Sequence, residues 1–168
     1  MRLILENSPK EFIPITTEIE ILEKYLSMQK LRFQDRFEYI IDCDDMPEDD
    51  SASIPPMITQ PFIENAIEHG QLHTIEGGFI RVSFKKEENM LMIRIEDNGI
   101  GRKASRENKK SSAHKSMAMS ITKDRIDNLN KKYHTDGFME IKDYNKSLET
   151  GTKVLISLPY RVDSNLNS

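Results

Sequence analysis

Gln60-Pro61-Phe62-Ile63-Glu64-Asn65-Ala66-Ile67-Glu68-His69-Gly70 is the stretch from which the rest of the chain can be read. The spacing predicts a helix over roughly Met57 to His69. Pro61 falls in its first turns, where free N–H groups tolerate proline, and Gly70 stops it. Phe62, Ile63, Ala66 and Ile67 make one apolar arc that a core would bury. Asn65 and His69 sit one turn apart at the edge of that arc and are expected to project towards a cleft. An asparagine amide oxygen is a hard, neutral ligand that suits Mg2+. Taken singly, Asn65 is more simply a solvated polar residue, and His69 a surface residue at a helix end.

Downstream, Phe79 to Phe84 and Met90 to Glu96 alternate as two strands around Lys86–Asn89, the pattern of a hairpin. The second strand ends in Asp97-Asn98-Gly99-Ile100-Gly101. Asn-Gly is a strong turn signal, but a long charged loop follows here rather than a strand. Asp97 would leave a buried strand with its carboxylate able to accept a hydrogen bond from a purine amino group. Gly99 and Gly101 would let the backbone pass close to a ligand. Thr150-Gly151-Thr152 precedes the last strand, Thr152 to Pro159, and the Thr152 hydroxyl can hydrogen-bond at the floor of a pocket.

Upstream, Thr16 or Thr17 is expected to cap a helix running to about Phe33, with Ile19, Leu22, Leu26 and Met28 as its apolar stripe and Glu18 and Glu20 favouring its N-terminus. Leu3 to Glu6 reads as an earlier helix end, cut off by Pro9 and Pro14. Phe37 to Cys43 alternates as a strand. Asp44 to Ser53 is an acidic loop that lacks the glycine and final glutamate of a calcium loop, so it reads as solvated. Asp97 to Lys115 is a long polar loop of the kind that is functional or mobile. Ser116 to Tyr133 is helical, Phe138 to Asp143 is a strand, and the tail from Arg161 is polar and frayed. Alternating helices and strands give an α/β (α+β) class, expected as a two-layer sandwich.

The 168 residues suit one domain, and 37% hydrophobic with 31% charged residues is a soluble globular balance. A net charge of −4 lacks the basic footprint of a nucleic-acid binder, so no nucleic-acid partner is expected. The single cysteine, Cys43, excludes an intrachain disulfide and fits a reducing, cytoplasmic setting. No stretch is long and apolar enough for a transmembrane helix. The abrupt helical start at Met1 reads as a piece cut from a longer protein.

An asparagine on a helix, then Asp-x-Gly-x-Gly after a hairpin strand, then Gly-Thr before the final strand is the order of motifs in Bergerat-fold (GHKL) ATPases, and the sequence resembles that group. Pro55-Pro56-Met57 with the Gln60–Gly70 run, together with Glu23-Lys24-Tyr25-Leu26-Ser27-Met28-Gln29-Lys30-Leu31-Arg32-Phe33, is similar to the LytS/YehU branch of sensor histidine kinases. The resemblance spans about residues 15 to 160. It implies a mixed, mostly antiparallel sheet with helices on one face. It divides the chain into a linker at 1–35, an ATP-binding domain at 36–160 and a tail at 161–168.

By resemblance, Asn65 binds Mg2+ bridging the phosphates of ATP and Asp97 reads the adenine amino group. Gly99 and Gly101 shape the pocket and Thr152 supports Asp97; His69 is a candidate phosphate contact, and Ser116 a candidate cap of a helix N-terminus that could hold phosphate. The implied activity is protein-histidine kinase, with the γ-phosphate presented to a histidine on a dimerisation helix outside this chain. Positioning and charge neutralisation supply the catalysis. The implied partners are that upstream helix, a response regulator and a second copy in the full-length protein, whose parent is membrane-anchored.

Three features depart from the family, one of them Glu68, which stands where many relatives carry a lysine and is unfavourable beside a triphosphate unless it points to solvent. No Pro-His-Phe motif surrounds His69, His73, His114 or His134, so the chain carries no phosphoacceptor and should not autophosphorylate alone. The lid helix opens with Ser116-Met117-Ala118-Met119 where the family has Gly-x-Gly-Leu, which removes backbone freedom near the phosphates. The alternative reading is therefore a pseudokinase or scaffold that docks a partner through the Ile19–Phe33 helix.

Overall fold

Strand and helix alternate along the chain because the hydrophobic period switches between two and about 3.6. The structure, a computed structural model, describes residues 11–46, 52–102, 104, 112–144 and 150–162, without the side chains of 44, 45, 112–116, 118 and 162. A two-residue strand β1 (Ile13–Pro14) leads into helix α1 (Ile15–Arg32), then β2 (Phe37–Asp45) and β3 (Ala52–Ile54). Helix α2 (Gln60–Glu64) runs on into a single π turn, Asn65–His69, followed by a 3-10 turn, Leu72–Thr74. The hairpin strands β4 (Gly78–Glu87) and β5 (Met90–Asp97), helix α3 (Ser112–Tyr133), and strands β6 (Phe138–Asp143), β7 (Thr152–Pro159) and β8 (Arg161–Val162) complete the order.

The main sheet has the order β2-β4-β5-β7-β6. Only the β2–β4 pair is parallel; the other three pairs are antiparallel. Register aligns the apolar residues of successive strands on one face. Val82 lies opposite Ile95 and Ile95 opposite Val154; Phe84 lies opposite Ile93 and Ile93 opposite Ile156. All six are buried. The intervening Arg81, Lys85 and Arg94 are exposed, so one face meets the helices and the other meets water. Leu22 and Leu26 of α1, Ile63 and Ile67 of α2 and its π turn, and Ile126 and Leu129 of α3 close the same core. The expected two-layer sandwich, with a mostly antiparallel sheet and helices on one face, is the observed one.

Several boundaries differ from the sequence reading. Pro14, not Thr16 or Thr17, is the N-cap of α1, because proline presets the backbone for a helix start. Helix α2 begins at Gln60 rather than Met57, since Met57 takes a positive φ of 57° in the preceding turn. Gly70 is not a left-handed stop: its φ is −74°, and the left-handed residue is Gln71. Helix α3 starts at Ser112, one turn before Ser116. Strand β2 extends to Asp45 into the acidic stretch, whose residues 47–51 lie outside the described ones. A second small sheet, β1-β3-β8, had no counterpart in the sequence reading. Arg161 and Val162, expected to begin the frayed tail, pair with β3, and the Arg161 guanidinium lies 3.9 Å from the Tyr133 ring centre and 4.8 Å from that of Phe12. The expected helix end at 3–6 lies outside the described residues.

Candidate functional site

The cleft forms where α2 ends above the last residues of β5 and the first of β7. Asp97 and Thr152 are directly opposed in the antiparallel register of β5 and β7. Continuing the buried alternation Leu91, Ile93, Ile95 puts Asp97 on the core face, where it is 5% exposed. Its Oδ1 accepts the Gly99 backbone N–H at 2.9 Å. A carboxylate at the end of an apolar row needs such partners, because burial without them is costly.

The loop after Asp97 is fastened to α2 by close backbone contact. Ile100 N–H donates to the Gly70 carbonyl at 2.9 Å. A Cβ on Gly99 would lie 2.6 Å from that carbonyl oxygen and 2.8 Å from the Gly70 Cα, so only glycine fits. Gly101 has a φ of +80°, a left-handed backbone. The Thr150 hydroxyl donates to the Gly99 carbonyl at 2.7 Å. Asn98 faces the other way: its Oδ1 accepts the Phe79 N–H at 2.7 Å and its Nδ2 donates to the Gly77 carbonyl at 2.9 Å. Asn98→Ala is expected to cost about 1–2 kcal/mol for two lost bonds. Thermal melting checks this, at roughly 2–4 °C per kcal/mol for a chain of this size.

The other wall is α2. Phe62, Asn65, Ala66, His69 and Gly70 line the cleft along one helical face, as the sequence spacing required. The π turn contains both polar members, and its wide bond runs from Gly70 N–H to the Asn65 carbonyl at 2.8 Å. Single π turns inside helices concentrate at functional sites. The Asn65 Nδ2 is buried with no hydrogen-bond partner among the described residues. Oxygen and nitrogen of an amide exchange places on a half-turn about χ2, so either atom can occupy that position.

The rest of the lining is Ile95, Asp97, Gly101, Arg102, Met119, Ile141, Thr152 and Val154, around about 450 Å3 counted out to open solvent. Asn65, His69, Asp97, Gly101 and Thr152 all line this cleft, whereas Gly99 does not line it and packs against Gly70. Ser116 stands inside α3, a turn from its first residue, and its side chain is outside the described ones. Of the expected loop at 97–115, residues 103 and 105–111 lie outside the described ones, and 112–115 are already part of α3. The apolar lining from Phe62, Ala66, Ile95, Met119, Ile141 and Val154 was missed as cleft, because in sequence it looks like core. Arg102 was also missed; its guanidinium donates to the Ile141 carbonyl at 3.1 Å.

Glu64 and Glu68 do not line the cleft. They act on Tyr25 of α1, whose hydroxyl is pushed far above its ordinary range by burial first and then by these two carboxylates. Glu64 also accepts the Gln60 Nε2 at 2.8 Å, and Glu68 is exposed. Asp97 is thus the one carboxylate among the lining residues.

This fold is that of histidine kinase catalytic domains. Solved structures with it include the mycobacterial sensor histidine kinase MprB, at TM-score 0.58 and 16% identity over 90% of this chain and 98% of that one. The catalytic domain of histidine kinase ThkA matches at TM-score 0.59 and 12% identity, over 90% and 97%. In sequence the chain is similar to sensor histidine kinases of the LytS type. Sensor protein LytS of Staphylococcus saprophyticus is 31% identical over 93% of this chain and 26% of its own length. Sensor histidine kinase BtsS of Escherichia coli K12 is 37% identical over 54% of this chain and 16% of its own. The putative uncharacterized protein YwpD of Bacillus subtilis is 41% identical over 50% and 30%. A family model described as histidine kinase matches residues 1–37. The chain spans no more than 30% of the length of these relatives. No helix among the described residues is long and apolar enough to cross a membrane.

Proposed function

We propose that this chain is the ATP-binding catalytic domain of a sensor histidine kinase, presenting the γ-phosphate to a histidine outside the chain. The carrying observation is one cleft lined by a buried carboxylate, Asp97, and by Asn65, whose buried Nδ2 has no hydrogen-bond partner among the described residues. Buried polar atoms without partners are rare, and a ligand or ion in the cleft would supply the partner that Asn65 lacks.

The donor set fits the implied group. Asn65 would offer its amide oxygen to Mg2+, a ligand chemistry that ion prefers. Asp97 would accept the adenine amino group, with Thr152 beside it and Gly99 and Gly101 giving the ring room. Phe62, Ile95, Met119, Ile141 and Val154 supply apolar walls for a flat base. His69 would stand near the phosphates, with Ser116 on the α3 side. The ion, when bound, would neutralise phosphate charge; the protein's part is to hold and orient. The partners on this reading are the upstream dimerisation helix bearing the histidine, a response regulator and a second copy of the parent. The parent would be membrane-anchored, with this domain in the cytoplasm.

Titration calorimetry with a non-hydrolysable ATP analogue, with and without Mg2+, tests the reading. Saturable heat is expected, stronger with Mg2+, and Asn65→Ala should remove the Mg2+-dependent part, about tenfold in affinity for one lost ligand worth roughly 1.4 kcal/mol. A second reading, a scaffold without nucleotide, draws on one observation: α3 runs unbroken through residues 116–119, where the family has glycines. No heat at millimolar analogue would favour that scaffold.

A further inference from the structure

Glu18 is the most buried carboxylate among the described residues, at 1% exposed. It sits on α1, yet both its oxygens are used on the turn before α2. Oε2 accepts the Met57 N–H at 2.9 Å, and Oε1 accepts the Thr59 hydroxyl at 2.8 Å. Thr59 is the N-cap of α2, but its side chain makes no cap bond, because the hydroxyl is turned to Glu18. Met57 holds a φ of 57°, a strained backbone for a residue with a side chain. Such strain persists only where surrounding groups hold it, and Glu18 grips that very N–H.

The same turn is held from the opposite side. Arg125, on α3, donates to the Pro56 carbonyl at 2.9 Å. Burial pushes its guanidinium down, and the nearby Glu18 carboxylate partly offsets this. Two charged side chains from two different helices therefore hold the two sides of a single peptide group, the one joining Pro56 to Met57, in one strained turn. From that turn α2 leads within two turns to Asn65. From Arg125, α3 leads back to Met119, on the other side of the cleft.

We propose that Glu18 and Arg125 are positioning residues, clamping the Pro56–Thr59 turn so that the placement of α1 sets the spacing between the Asn65 wall and the α3 wall of the cleft. This rests on the nucleotide reading above. Coupling of this kind needs a bistable element and a measured interaction energy, not proximity alone. The strained turn is the candidate element, and the double variant measures the interaction energy.

The test compares Glu18→Ala, Glu18→Gln, Arg125→Met and the Glu18→Ala/Arg125→Met pair, all well below their melting temperatures. The first readout is amide hydrogen exchange without nucleotide. Glu18→Ala should speed exchange both at 62–70 and at 122–129, segments remote from it in sequence, and Gln, which keeps an acceptor, should restore most protection. The second readout is ATP-analogue affinity. Glu18→Ala should weaken it about tenfold, and the double variant should lose less than the product of the single losses. Faster exchange confined to α1, or unchanged affinity with only a lowered melting temperature, would overturn the proposal. Should the wild type bind no analogue, the nucleotide reading fails, and the exchange pattern alone decides the clamp. Should Glu18→Ala not fold, Arg125→Met carries the same comparison, with faster exchange at 62–70 expected, and Arg125→Lys serves as its conservative control.

Discussion

Asp97→Ala is expected to abolish nucleotide binding, beyond a hundredfold loss of affinity, while leaving a folded domain. Two losses combine. The carboxylate that would receive the adenine amino group disappears, and a hydrogen bond to a charged group is worth about 1.5–3 kcal/mol, or ten- to a hundredfold. The Gly99 N–H, which Asp97 Oδ1 accepts at 2.9 Å, also loses its partner inside a buried loop. That second loss should cost about 1–3 kcal/mol of stability. Asp97→Asn separates the two effects. It keeps the shape and an acceptor for Gly99, so melting should barely move, yet it removes the charge and should still weaken binding. Calorimetry and thermal melting of both variants check the pair. Strong binding by Asp97→Ala would remove this residue from the site.

The largest stability effect is expected at Gly151, next to the site rather than in it. Its φ is +144°, and a Cβ there would lie 2.0 Å from the Asp97 carbonyl oxygen and 2.9 Å from the Asn98 Cα. Both contacts are backbone, so no flexible side chain can yield. Gly151→Ala should cost about 3 kcal/mol or more, combining backbone strain with overpacking. Because the displaced atoms belong to Asp97 itself, nucleotide affinity should fall with stability. Gly77 provides the contrast. It too has a positive φ, +69°, but nothing lies within 4 Å of a built Cβ. Gly77→Ala should therefore cost only the left-handed penalty, about 1–2 kcal/mol, and leave binding unchanged. Equal melting temperatures for the two alanine variants would show that the loop adapts and that close approach at Gly151 is not needed.

Why these residues meet was partly legible in the sequence. Alternation along Met90 to Glu96 and along Thr152 to Pro159 puts Asp97 and Thr152 at matching ends of two strands. The apolar arc of Phe62, Ile63, Ala66 and Ile67 puts Asn65 at its edge. Both arguments use a fixed period, which local sequence carries. What failed had no period. The strands of the second sheet are two or three residues long, too short to alternate. The π turn at Asn65–His69 has the same composition as an α turn, so only its bond from Gly70 reveals it. Glu18 was read through the helix dipole, as an acid near an N-terminus. Its partners stand 39 and 41 positions away, and no local rule connects them. Arg125 is a similar case: its acceptor, Pro56, lies on a different element.

The site and the fold are thus one construction. A hairpin strand ends in a carboxylate, a short helix ends in an amide, and Gly70, Gly99 and Gly151 let their backbones close around the space between. The most direct measurement is a crystal structure of this chain grown with Mg2+ and a non-hydrolysable ATP analogue. The account predicts the adenine amino group within hydrogen-bond distance of the Asp97 carboxylate and the metal ligated by the Asn65 amide oxygen. A nucleotide bound elsewhere, or an Asn65 amide that takes no part while nucleotide fills the cleft, would contradict it.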